Sequence, residues 1–175
     1  MTSLVETLIY ENYHTVDEVI YIRESSGNRS IINGTTADEI SDRIREIDNS
    51  KDLIDGISWE IDIEVSLLNE RTDLLEPSVS LRSFSKDTTG AFGRLYSGGF
   101  EVDLPDENFL YMTENAAGEV NAEIGDVLNI SYSGSTFQLI ISEIIDQEGR
   151  ANLFGGENLY VSFPTAWKIM GLDMN

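Results

Sequence analysis

Alternation of apolar and polar residues is the clearest signal in the chain. Ile57, Trp59, Ile61, Ile63 and Val65 alternate with Ser58, Glu60, Asp62, Glu64 and Ser66, the period of two expected of a half-buried strand. One face is buried and the other wetted, which suits an antiparallel or edge position better than the centre of a parallel sheet. Glu60, Asp62 and Glu64 then form a carboxylate ridge, spaced ~6–7 Å apart along the strand. Such ridges are ordinarily solvated faces that discourage edge-to-edge pairing; the alternative is a metal or a cationic partner.

Other stretches follow the helical period. Leu4, Val5, Leu8 and Ile9 predict a short amphipathic helix over residues 3–12, although a strand also fits there. Thr36-Ala-Asp-Glu39 is a capping box, and Ile40, Ile44 and Ile47 follow at helical spacing, predicting a helix from about Ala37 to Asp48. Between these, Val16, Val19, Ile20, Tyr21 and Ile22 make a β-branched, aromatic strand, closed by the turn Ser25 to Asn28. Val79 and Leu81 predict another alternating strand toward Phe84, and the glycine-punctuated run from Gly90 to Phe100 predicts a loop with aromatic anchors.

The stretch from Thr113 to Gly171 is the most completely patterned. It predicts a short helix over Thr113 to Val120, a turn at Ile124-Gly125-Asp126, strands over Val127 to Tyr132 and Thr136 to Ile145, and a strand over Asn158 to Phe163. Pro164 then opens a helix over Thr165 to Met170, ending at Gly171. Strands outnumber helices and do not alternate regularly with them, which predicts an α+β fold. The likeliest seam between two lobes falls between Asp73 and Pro77.

Composition narrows the functions open to such a fold. At 175 residues the chain is long enough to bury a core without staples, and the absence of cysteine excludes disulfides and thiolate metal sites. Thirty-two acidic residues face eleven basic ones, a net charge of −21. A polyanion of this kind repels nucleic acid and anionic headgroups. The acidic surface either keeps the protein soluble or recruits a cationic partner or metal ion. No apolar run approaches the ~18 residues of a membrane helix, and the start of the chain has neither the basic nor the apolar region of a signal peptide.

Chemistry is harder to find. His14 is the lone histidine, so a zinc site would need three carboxylates. The serines lack a Gly-x-Ser-x-Gly elbow and an evident base. The glycine run lacks the lysine and the strand–helix setting of a phosphate loop. In the acidic turn from Asp103 to Asn108, Asp103, Asp106 and Glu107 are weak candidates for calcium, without the calcium-loop register. The residues point to no enzyme and no cofactor, with a carboxylate-dependent hydrolase the least favoured alternative. Sequons stand at Asn28, Asn33 and Asn129.

The run Met112-Thr-Glu-Asn-Ala116-Ala117, followed by Asn121-Ala-Glu-Ile-Gly125-Asp126 and Leu128-Asn-Ile130, resembles the extracytoplasmic core domain of FtsX/MacB-type ABC transporter permeases. The return strand from Thr136 to Ile145 and the segment Leu159 to Gly171 extend the match over about 80 residues, and Gly93-Arg94 matches more loosely. The resemblance implies a two-lobed α+β domain, with a membrane-proximal, porter-like strand–helix–strand lobe over residues 1–76. A mostly β, sabre-like lobe would occupy 77–175. It implies a non-catalytic domain on the extracytoplasmic side of a cell membrane, coupling an ATPase cycle to export, release or signalling. Its partners would be a second permease subunit and a cytoplasmic ATPase, reached through transmembrane segments outside this sequence, and an extracytoplasmic substrate or accessory protein. The matched residues, Gly125, Asp126, Pro164 and Gly171, are structural. A secreted or surface-anchored acidic module binding a cationic ligand or calcium is the alternative.

Overall fold

The computed structural model describes residues 39, 41–46, 58, 60–84, 94–152 and 156–172. Within them the alternating segment forms β1 (Glu60–Asn69), which turns back through residues 70–73 into β2 (Leu74–Phe84). A small hairpin follows, β3 (Leu95–Ser97) and β4 (Phe100–Val102), turning at Gly98 and Gly99. Then come β5 (Phe109–Thr113), helix α1 (Glu114–Glu119), β6 (Val127–Tyr132), β7 (Ser135–Ile145), a 3-10 turn (Gly149–Asn152), β8 (Asn158–Tyr160) and helix α2 (Phe163–Met170). Residues 39 and 41–46 are helical, inside the span set by the capping box. The expected helix over 3–12, the strand over 15–24, His14 and the sequons at Asn28 and Asn33 lie outside the described residues.

Six of the strands close into a barrel in the order β1-β2-β8-β5-β7-β6. β1 pairs antiparallel with β2 and with β6, β8 lies parallel to β2 and antiparallel to β5, and β5 runs parallel to β7. The β6–β7 hairpin turns through Ser133 and Gly134, both with positive φ (47° and 83°), the twist that matches two antiparallel strands. Register shifts in β1 between Val65 and Leu67, and where β5 meets β7 between Leu110 and Tyr111, add the local bend that closing a sheet demands.

The barrel overturns the two-lobed α+β expectation. The fold is mostly β, and helices in the described residues are few and short. β2 runs unbroken through positions 76 and 77, and β1 closes the barrel against β6, so residues on the two sides of the expected seam share one sheet and one core. The reason is non-local pairing. Each strand reads locally as part of a hairpin, but the second edge of β1 is taken by β6 and that of β2 by β8.

Period two sorts side chains inward and outward. Val65, Leu67, Val79, Leu81, Leu110, Met112, Leu128, Ile130, Leu139, Ile141 and Leu159 fill the interior, joined by Ala116 and Ala117 of α1 and by Ala166 and Ile169 of α2. A second apolar cluster holds Leu95, Ile145, Ala151 and Tyr160 with Phe84, Val102, Leu104 and Tyr111, where the β3–β4 hairpin and the 3-10 turn cover part of the wall. The hairpin is tied down by Asp146 and Arg150, whose amides donate to the Tyr96 and Arg94 carbonyls (2.8 and 2.9 Å).

Candidate functional site

The carboxylate ridge on β1 is only partly a wetted face. β1 and β2 set Asp62 opposite Arg82, and the Arg82 guanidinium donates to Glu60 Oε1 (3.1 Å) and Asp62 Oδ2 (2.9 Å). The 3-10 turn brings in Arg150, which donates to Glu60 Oε2 (3.2 Å) and lies with Cζ 3.8 Å from the centre of the Phe84 ring. Both arginines are buried. Phe84 in turn meets Tyr160 edge-on, with centroids 6.2 Å apart.

Burial dominates the electrostatics here. It pushes the Glu60 carboxyl above its ordinary value, with Arg150 and Arg82 pulling it back and Asp62 reinforcing the rise. It also pushes the Tyr160 phenol well up, and its Oη has no hydrogen-bond partner among the described residues. The phenol therefore stays protonated. Two carboxylates face two guanidinium groups, so these four side chains together carry little net charge. Ser83, next to Arg82 in β2, is fully buried, and its hydroxyl finds no hydrogen-bond partner among the described residues.

The Gly125–Asp126 turn is a second polar node. Gly125 has φ of 94°, and a Cβ added there would meet only open space. Asp126 accepts from the Glu123 amide (2.9 Å), the Asn69 side chain (3.0 Å) and Arg71 Nε (2.7 Å). Arg71 also donates to the Asn121 carbonyl (2.6 Å), while Asn69 and Thr72 donate to that of Val120 (3.2 and 2.8 Å). The turn after β1 is thereby locked to the segment after α1. The Arg71 hydrogen bond, with those from the Glu123 amide and Asn69, outweighs shielding from water and holds the Asp126 carboxyl at about 2.

Asp103, Asp106 and Glu107 are exposed on the connection between β4 and β5, where the Asp106 carbonyl accepts the Phe109 amide (3.2 Å). Among the described residues no three acidic or histidine side chains converge as a metal site. Pro164 lies in the first turn of α2, and Gly171 caps its end with φ of 71°, its amide donating to the Lys168 carbonyl. Asn129 faces outward on β6, its amide bonded to Glu70 Oε1 (3.0 Å).

Shallow grooves also mark the surface of the described residues. One, of about 510 Å³, runs between β7 and α2; another, of about 500 Å³, lies open along α1 beside Asn121 and Glu123. Neither contains the Glu60 cluster or Asp126. The sequence reading missed Arg82, Arg150 and Tyr160. The one signal for them is two carboxylates at positions 60 and 62 facing a lone arginine across a hairpin, visible only once the register is known. No protein-family model matches the chain, and no curated protein matches it.

Proposed function

We propose that the chain is a non-catalytic acidic binding module that engages a cationic partner. The carrying observation is that Arg71, Arg82, Arg94 and Arg150 each already hold a carboxylate. With thirty-two acidic residues against eleven basic ones, a net charge of −21, the field around the chain is negative overall. Such a field draws cationic ligands and repels nucleic acid. The test is titration with a lysine-rich peptide at low ionic strength and again in about 1 M salt, where the screening length falls to ~3 Å. Binding at low salt that disappears in high salt is expected; no binding at low salt overturns the reading. A parallel calcium titration followed by thermal melting asks whether the cation is a metal, since a true site raises the melting point with concentration.

A second reading, the extracytoplasmic domain of an FtsX/MacB-type permease, is supported by local geometry alone: the Gly125–Asp126 turn and the helix from Pro164 to Gly171. Those features serve a closed barrel equally well. This reading predicts apolar segments of ~20 residues in the flanking gene sequence and co-purification with an ATPase subunit. A gene with neither sinks it.

A further inference from the structure

β7 is paired on both sides for only part of its length. β6 lies along it from Ser135 to Ile140, whereas β5 begins opposite Ile140. The Ile141 amide donates to the Asp126 carbonyl on the β6 side, and the Ile140 amide donates to the Asn108 carbonyl on the other side (3.0 Å each). Backbone groups of successive residues alternate sides along a strand. Thr136 and Gln138 therefore turn their N–H and C=O groups away from β6, along the line of β5 but beyond its start. Among the described residues no strand pairs with them there.

Beside this edge lies the groove of about 510 Å³, with Asn108 and Glu107 at one end and Lys168 and Ile169 of α2 on the opposite wall. The Gln138 side chain does not cover the edge, because its amide is drawn back to Glu70 Oε1 (2.7 Å). An uncovered strand edge is a template for another extended chain, and main-chain pairing with pockets for alternate side chains is a recurrent mode of peptide recognition.

We infer that this groove takes an extended basic segment of a partner polypeptide, which pairs with Thr136 and Gln138 as a short added strand in line with β5. The sign of the ligand rests on the acidic-module reading, while its extended conformation rests on the open edge. Glu107 favours lysine or arginine beside Asn108, and Lys168 favours an uncharged residue opposite α2.

The probe is acetyl-Lys-Val-Lys-Val-Lys-Val-amide, with two analogues N-methylated at alternate residues, one for each edge of the peptide. All three carry the same charge, and binding to the full chain is read by fluorescence anisotropy at low salt. One analogue is expected to bind like the parent and the other about tenfold more weakly, the effect of losing two hydrogen bonds. The Thr136 and Gln138 amides gain hydrogen-exchange protection with the parent peptide. Gln138→Pro removes an outward donor without touching the β6 ladder, as proline is tolerated at strand edges. Lys168→Trp fills the groove from α2 and leaves β7 intact, so it serves if the proline variant does not fold. Each is expected to weaken the parent and spare the analogue that cannot pair. Equal binding of all three peptides overturns strand addition and leaves the acidic-module reading standing. Failure of every peptide to bind overturns both.

Discussion

Two of the carboxylates held by arginine, Asp126 and Glu60, respond in opposite directions. Asp126 meets Arg71, whose side chain is 44% exposed, and accepts two further hydrogen bonds; its carboxyl is held at about 2. Glu60 meets two arginines that are themselves buried, and its carboxyl is pushed up. Counting ion pairs would rank Glu60 as the more stabilised anion. What separates the sites is the balance of two terms: at Asp126 the hydrogen bonds from Arg71, the Glu123 amide and Asn69 outweigh burial, whereas at Glu60 burial outweighs the attraction of two guanidinium groups that are themselves buried.

The largest expected effect breaks the Glu60 side. Glu60→Leu withdraws the carboxylate shared by two buried guanidinium groups and is expected to cost about 3–5 kcal/mol in urea unfolding. Adding Arg150→Met in the same chain should recover a good part of that loss, because an apolar side chain then replaces a buried guanidinium that has lost the Glu60 carboxylate; a strictly additive double variant would show that the two side chains do not act together. The glycines behind the two sites give the next contrast. A Cβ on Gly149, where φ is 54°, would overlap the Arg94 carbonyl and the Tyr96 ring, so Gly149→Ala should cost about 2–3 kcal/mol and loosen the turn carrying Arg150. Gly125→Ala has free space and should cost only about 1 kcal/mol, for the positive φ alone.

Acid gives the finest comparison. Asp126 has a folded value of about 2 against an ordinary 3.8, so its contribution is complete above pH 3.8 and is lost as the pH falls toward 2. Glu60 has a folded value above 4.5, so its ionised form weakens the fold at neutral pH, and that cost disappears as the pH falls to 4.5 and below. Subtracting the unfolding free energies of Asp126→Asn and of Glu60→Gln from those of the natural chain between pH 7 and 2 should give two curves of opposite slope. Asp126→Asn is expected to cost about 1–2 kcal/mol at neutral pH. Parallel curves would mean that solvation does not distinguish the sites.

Much of the local structure was legible. The alternation from Ile57 onward marks β1, the spacing of Val127–Tyr132 and Thr136–Ile145 marks the β6–β7 hairpin, and the Pro164 and Gly171 boundaries bracket α2. Thr113 as the cap of α1, its side-chain oxygen accepting from Ala116, agrees with a helix starting there. The barrel was not legible. Its closure depends on β2 meeting β8 in parallel and on β1 meeting β6, contacts between segments some 60–80 positions apart, and no local period reports them. The β3–β4 hairpin was hidden inside a glycine-rich run that reads as loop. Arg82 and Arg150 were hidden for a related reason: an arginine at an outward position of a strand or in a short turn looks solvated until the element that covers it is known.

The place of β8 in the strand order sets the timing of folding. This three-residue strand sits between β2 and β5 and is the last of the six barrel strands in chain order, so the wall stays open until that segment is available. A chain emerging from the ribosome can form the β1–β2 and β6–β7 hairpins early, yet cannot seal the apolar interior until Asn158–Tyr160 is available. Topologies dominated by such distant contacts fold in roughly milliseconds to seconds rather than microseconds. During that interval the exposed inner faces are vulnerable to association with one another, and the dense negative charge keeps nascent copies apart until β8 is in place.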